Sequence, residues 1–153
     1  FVNIRDNTDT FNVDGVEIQT EYKPNNRFLL RAHYSYSDID GETIYTSPPE
    51  LEIRDLGVYS LKHGAGLLAS YALDNNVTLS SMASYSSATK HYRGTAAENH
   101  TRIDLKALKR WNINNSNIDL SLTVQNAGEP YSEFYFFNQF KTQYVLGLKV
   151  SMP

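Results

Sequence analysis

The sequence contains no cysteine, which excludes a disulfide framework and a thiolate metal site. It also lacks a long hydrophobic run: no segment approaches the roughly 20 apolar residues that a membrane-spanning helix requires, and the mean hydropathy is −0.47. The formal net charge is only −3 and no basic stripe is present, so we expect no nucleic-acid partner. A length of 153 residues favours one domain.

Patterns that would indicate catalysis or metal binding are also missing from the sequence. The histidines of the chain are His33, His63, His91 and His100. None of them shows a His-x-x-x-His or facial-triad spacing, so we expect no metal site. Ser84, Ser86 and Ser87 near His91 form the only neighbourhood rich in serine and histidine, and it has no Gly-x-Ser-x-Gly elbow. We therefore predict no catalytic residue, no cofactor and no enzymatic activity.

What the sequence does contain is a strict alternation of polar and apolar residues, most clearly over positions 101–125. The apolar positions of this stretch are Ile103, Leu105, Ala107, Ile118, Leu120, Leu122 and Val124. Polar residues, among them Arg102, Asp104 and Asp119, lie between them. A period of two is typical of β-strands, because successive side chains of a strand point to opposite faces. The stretch is therefore predicted to be a β-hairpin that turns at 112–117.

The polar face of this hairpin favours a particular kind of sheet. Arg102, Asp104 and Lys106 would share a face with Ser121 and Thr123, while the other face is aliphatic. This pattern is typical of a sheet whose apolar face contacts lipid and whose polar face lines a wet interior. A soluble β-sandwich, which hides its apolar face against a second sheet, is the alternative. The 11 tyrosines suit aromatic girdles at membrane interfaces, although tyrosine also favours strands in general.

The same alternation continues along the chain and predicts seven strands in all. Besides the two strands of the hairpin, they cover residues 13–22, 27–37, 64–73, 77–86 and 142–152. The short connections are those at 23–26, 74–76 and 112–117. The long connections are those at 38–63, 87–100 and 126–140. Short and long connections therefore alternate strictly.

This alternation of connections predicts the architecture. In an up-and-down meander, alternate connections lie at the same end of the sheet, so one end should be tight and the other elaborated. Outer-membrane barrels have this layout, with short periplasmic turns and long external loops. We predict an all-β fold: an antiparallel up-and-down meander of about seven or eight strands, forming an arc of a transmembrane β-barrel. Because such barrels use even strand numbers, either residues 1–12 supply an eighth strand or the chain is one arc of a larger barrel.

Several blocks of sequence resemble the C-terminal part of the barrel of TonB-dependent outer-membrane receptors. They are Asp-Gly-Val-Glu-Ile at 14–18, Tyr-Lys-Pro at 22–24, Leu-Arg-Ala-His-Tyr-Ser-Tyr at 30–36, Thr-Arg-Ile-Asp-Leu at 101–105, Leu-Ser-Leu-Thr-Val-Gln-Asn at 120–126, Glu-Phe at 133–134 and Leu-Gly-Leu-Lys-Val at 146–150. Their order and spacing carry the resemblance over nearly the whole chain. Two features depart from the family: the chain ends in Ser-Met-Pro instead of an aromatic residue, and it contains neither a plug domain nor a TonB box.

The resemblance implies that residues 1–153 are a C-terminal segment of a larger receptor, roughly the last third of a barrel of about 22 strands. It implies a location in the outer membrane of a Gram-negative bacterium and the import of a scarce ligand, such as a metal chelate, cobalamin or a glycan. The expected partners are outer-membrane lipid, an unknown small ligand, and the TonB complex acting through a plug domain. A small complete eight-stranded barrel with a structural or adhesive role is the alternative.

The last long connection is the best candidate for contact with a ligand. Its aromatic residues are Tyr131, Phe134, Tyr135, Phe136 and Phe137. They could stack on a flat or glycan ligand, or they could pack the loop or form part of an aromatic girdle. We further expect lipid to contact Leu105, Leu120, Leu122, Leu146 and Leu148. A ladder of opposite charges on the other face is expected from Arg31, Arg102, Asp104, Lys106 and Asp119.

Overall fold

The computed structural model describes residues 11–47, 50–90, 96–113, 116–133 and 138–152. These residues form the strands β1 (Phe11–Tyr22), β2 (Phe28–Ser47), β3 (Glu50–Asp55), β4 (His63–Leu73), β5 (Val77–Ser86), β6 (Thr89–Lys90), β7 (Ala96–Ala97), β8 (His100–Ile113), β9 (Ser116–Gln125) and β10 (Gln143–Ser151). A single 3₁₀ turn at Leu56–Tyr59 interrupts this all-β pattern within those ranges. No helix among them is long and apolar enough to cross a membrane.

The strands form an antiparallel meander in the order β1-β2-β4-β5-β8-β9-β10. Every strand of this main sheet pairs with the next one, as in the pairing of Leu105 with Val124 and of Leu122 with Leu146. Strand β3 pairs with the outer part of β2, and β6 pairs with β7 in a separate small sheet. The predicted all-β meander is therefore confirmed.

The pairing register sorts the side chains onto two faces, because residues directly opposite each other on neighbouring strands point the same way. The face that we call the apolar face carries Val16, Ile18, Leu30, Leu67, Leu79, Leu105, Leu120, Leu122, Leu146, Leu148 and Val150. Nothing in the described ranges packs against it: Ile18 is 61% exposed and Leu146 is 73% exposed. The described residues thus form no second sheet that would make the face the core of a sandwich.

The opposite face, which we call the polar face, carries most of the charged side chains of the sheet. Of the predicted charge ladder, only Arg102 and Asp104 pair with each other. Arg31 and Asp119 pair with residues that the prediction did not include. Arg31 pairs with Glu21 across β1 and β2 at 2.6 Å. Arg110 forms two hydrogen bonds of 2.7 Å with Asp119 across β8 and β9. Because the side chains of Arg31, Glu21 and Arg110 are about half exposed, these pairs orient side chains more than they stabilise the fold.

Short and long connections lie at opposite ends of the sheet, as predicted, but two boundaries were wrong. The connection predicted at 38–63 is largely strand, because β2 continues to Ser47. Strand β1 pairs with β2 as far as Gly41, and β3 pairs with the outer part of β2 from Glu42 to Ser47. The turn predicted at 112–117 is narrower, because β8 extends to Ile113 and β9 begins at Ser116.

Aromatic side chains form a band at each end of the apolar face. The band near the short turns contains Tyr22, Phe28, Tyr71 and Trp111, and the band near the long connections contains Tyr34, Tyr36, Tyr85 and Tyr144. Along β2 the interval from Phe28 to Tyr36 is about 27 Å at 3.4 Å per residue. At the strand tilt usual for outer-membrane barrels this length corresponds to a height of about 20 Å, close to the apolar band of that class.

Candidate ligand site at the loop end of the sheet

Asn126 is the residue at which the last long connection leaves β9. It is only 3% exposed and has a φ of 50°, a conformation that asparagine adopts more readily than most residues. Its backbone N–H donates a 2.9 Å hydrogen bond to Asp104 of β8. Its side-chain Nδ2 donates to the carbonyl oxygens of Glu129, at 3.2 Å, and Phe140, at 2.8 Å. The buried Asn126 side chain therefore connects the two arms of the connection, namely the part around Glu129 and the part around Phe140.

Tyr131 and Phe140 join the same two arms by a second set of contacts. Their backbones exchange two hydrogen bonds, of 3.3 Å and 2.8 Å, in an isolated bridge. Their rings stack with centroids 5.2 Å apart, and the Tyr131 ring also stacks on His100 of β8 at 4.2 Å with an interplanar angle of 7°. Tyr131 is 9% exposed as a result. The stack anchors the connection to the end of β8.

A carboxylate beneath this stack links it to the polar face. Asp104 accepts hydrogen bonds of 2.9 Å and 2.8 Å from the guanidinium of Arg102, two residues before it on β8. The same carboxylate accepts the backbone N–H of Asn126. Because the side chains of Arg102 and Asp104 are only 32% and 16% exposed, this is the least solvated ion pair among the described residues. It holds the start of the connection in place.

A cavity of about 650 Å³ opens beside the stack. Its lining includes Glu98, His100, Thr101, Glu129, Tyr131 and Gln139. This size lies within the range of about 300–1,000 Å³ that is common for ligand pockets. The lining offers two carboxylates, an imidazole, an amide and an aromatic surface, which suit hydrogen bonding and stacking. Across the parts of the chain that the structure describes, no group of three or more His, Asp or Glu side chains could hold a metal ion.

Of the five residues predicted to contact a ligand, only Tyr131 lies within the described residues. Tyr131 borders the cavity while its ring is held in the stack, and ligand contact by this residue stays a prediction. Phe134, Tyr135, Phe136 and Phe137 lie outside the described residues. His91 lies outside them too, so the predicted lack of catalysis near it is not tested. Sequence reasoning missed Asn126, although an asparagine placed directly after a strand and before Ala-Gly is a turn signal.

Comparison with known proteins supports the fold. Neither the protein-family models nor the curated protein sequences match this chain. Among solved structures, the siderophore receptor PiuA from Acinetobacter baumannii is similar, with 20% sequence identity and a TM-score of 0.62. The alignment covers 94% of this chain and 21% of the receptor chain, so this chain spans about a fifth of that receptor's length. The seven-stranded meander therefore has a fold similar to a fragment of a barrel protein.

Proposed function

We propose that this chain is part of an outer-membrane transporter of the TonB-dependent kind, which imports a scarce ligand such as a metal chelate, cobalamin or a glycan. The observation that carries the proposal is the division of the meander into an exposed apolar face and a charged face. Such a division is costly in water, because Leu146 and Leu148 are 73% and 69% exposed. It is expected where the apolar face meets hydrocarbon and the charged face lines a hydrated lumen.

The segregation of the connections supports the same proposal. The turns after β1, β4 and β8 are short, whereas the connections after β2, β5 and β9 carry additional strands or the cavity. In outer-membrane barrels the long connections are external, where a ligand arrives. Because the similar solved structure is that of a siderophore receptor, a ferric chelate is the first ligand class to test.

The proposed ligand contacts are the aromatic side chains of the connection after β9. Tyr131, Phe134, Tyr135, Phe136 and Phe137 would supply stacking surfaces, and the cavity beside Tyr131 would supply hydrogen bonds through Glu129 and Gln139. In this account outer-membrane lipid surrounds the apolar face, and energy comes from the TonB complex through a plug domain elsewhere in the protein. The strands of this chain act as scaffold and lumen wall.

The proposal is tested by uptake measurements with the full-length protein. Cells that lack their own receptors would express it and receive radiolabelled ferric tris-catecholate, cyanocobalamin or a maltodextrin, with and without a functional TonB protein. We expect TonB-dependent uptake of one probe. Replacing the four aromatic residues at 134–137 by alanine should weaken its binding at least about tenfold, because each aromatic contact contributes about 0.5–1.5 kcal/mol.

Tyr85→Ala is the matched control, because Tyr85 is an aromatic residue of β5 on the apolar face and does not border the cavity. This variant should keep the binding constant of the unmodified protein at equal surface abundance. Uptake that is the same with and without TonB would contradict the transport proposal. Unchanged binding after the fourfold alanine replacement would contradict the ligand-contact assignment alone.

A further inference from the structure

A groove crosses the apolar face in the middle of the sheet. Small side chains form its floor and larger ones its walls: Ala69, Ser81 and Ala107 below, and Phe28, Tyr71 and Leu105 at the sides. The register explains the groove, because Ser81 of β5 pairs directly with Ala69 of β4 and the small Ala107 lies diagonally across on β8. Its volume is about 430 Å³, within the range of about 300–1,000 Å³ that is common for ligand sites.

Lys109 places a positive charge on the apolar face near one end of this groove. Of the described positions on the apolar face between the two aromatic bands, only Lys109 carries a charge. Its ammonium reaches the carbonyl oxygen of Asn75 in the β4–β5 turn and lies 5.7 Å from the centre of the Trp111 ring. The aliphatic stem thus lies along the apolar surface while the charge points towards the short-turn end, where the headgroups of a membrane would be.

Lys109 lies beyond the groove on the same face of β8, and its ammonium points further towards the short-turn end. Ala107 on the groove floor precedes Lys109 by two residues on the same face of β8, a separation of about 7 Å along the strand. An apolar groove with a cation beyond one of its ends, on the same face of the sheet, complements a molecule with a hydrocarbon chain and an anionic head. The ammonium has three donors, and Asn75 accepts from only one of them.

We propose that the groove and Lys109 together bind one phospholipid of the leaflet on the short-turn side. One acyl chain lies over Ala69, Ser81 and Ala107, and the phosphate accepts hydrogen bonds from the Lys109 ammonium. The inference rests on the proposed function, because it requires the apolar face to contact a bilayer. It goes beyond that function by assigning a discrete lipid site to a surface that would otherwise meet lipid without preference.

Native mass spectrometry of the full-length protein in detergent tests the site, with phosphatidylglycerol and a diacylglycerol of the same acyl chains as probes. The unmodified protein should retain one phosphatidylglycerol more tightly than diacylglycerol. Lys109→Gln should weaken phosphatidylglycerol binding about fivefold, the value of one basic residue near an anionic lipid surface, and leave diacylglycerol unchanged. Ala107→Leu should weaken both lipids about tenfold or more, because the added methyl groups occupy the place of acyl methylenes.

Ala83→Leu is the matched control, because Ala83 is an alanine on the same face that does not line the groove. This variant should bind both lipids as the unmodified protein does. Equal loss in Ala83→Leu and Ala107→Leu, or no effect of Lys109→Gln, would overturn the site. Self-association that Ala107→Leu abolishes, without any bound lipid, would overturn it in favour of a second copy of this chain.

Insertion into liposomes, followed in the same preparations, separates this inference from the proposed function. Protein that inserts but shows no preference for phosphatidylglycerol would refute the lipid site and leave the transporter proposal standing. Protein that does not insert at all would refute both.

Discussion

Leu122 and Ser121 of β9 allow a direct comparison of the two faces of the sheet. Leu122 is 49% exposed and lies between Ala107 and Leu146 on the apolar face. Ser121 points to the polar face, opposite Gly147 of β10. Because Leu122 lies near the middle of the apolar band, Leu122→Arg should place a guanidinium in hydrocarbon at a cost of about 2–4 kcal/mol. That cost corresponds to a reduction of about 30-fold to 700-fold in the folding equilibrium constant.

Ser121→Arg is the matched variant, and we expect it to cost less than about 1 kcal/mol, because its guanidinium would extend over Gly147 into the hydrated side. The assay is a urea titration of the full-length protein in phospholipid vesicles, followed by the mobility of the folded protein in gel electrophoresis. Equal stability of the two variants would refute the assignment of the faces. A surface in water would tolerate either arginine within about 0.5 kcal/mol.

Two further substitutions test individual contacts. Gly15→Ala should destabilise the sheet by about 1–3 kcal/mol in the same titration, because the added Cβ would lie 2.7 Å from the backbone carbonyl oxygen of Tyr36. The control Gly147→Ala should destabilise the sheet clearly less, because its Cβ would meet only the rotatable hydroxyl of Ser121. Equal destabilisation by the two variants would contradict the close approach at Gly15. Asn126→Gly keeps the positive φ but removes two side-chain hydrogen bonds of about 1 kcal/mol each. Hydrogen exchange at the Phe140 amide should therefore become about 30-fold faster. An unchanged exchange rate would show that Asn126 does not stabilise the loop.

The sheet could be predicted from sequence because the alternation of polar and apolar residues is a local pattern that repeats with period two. The alternation of Leu120 and Leu122 with Ser121 and Thr123 identifies a strand and its two faces without knowledge of its neighbours. Short turns then determine which strands are adjacent, and the pairing of β8 with β9 follows. The apolar pattern thus predicted the order of the strands and the single face that Leu105, Leu120, Leu122, Leu146 and Leu148 share.

The boundaries of β2 and the role of Asn126 could not be predicted in this way. The outer part of β2 is held by pairing with β3 and β1, which is a tertiary effect that overrides the irregular local pattern. Asn126 acts through a buried side chain whose partners, Asp104 and Phe140, are distant in sequence. Lys109 did leave a signal, because it breaks the aliphatic alternation of β8, but the direction of its side chain depends on where the β4–β5 turn places the carbonyl of Asn75.

We expect the apolar face to contact a bilayer and the polar face to contact water, and site-directed spin labelling tests this most directly. This chain has no native cysteine. With any cysteines elsewhere in the full-length protein replaced by serine, single cysteines at positions 120, 121, 122 and 123 can carry spin labels in lipid vesicles. Labels at Leu120 and Leu122 should be relaxed by oxygen dissolved in the lipid, and labels at Ser121 and Thr123 by a water-soluble nickel complex. Accessibility that does not alternate along β9, or that alternates with the opposite phase, would contradict the account.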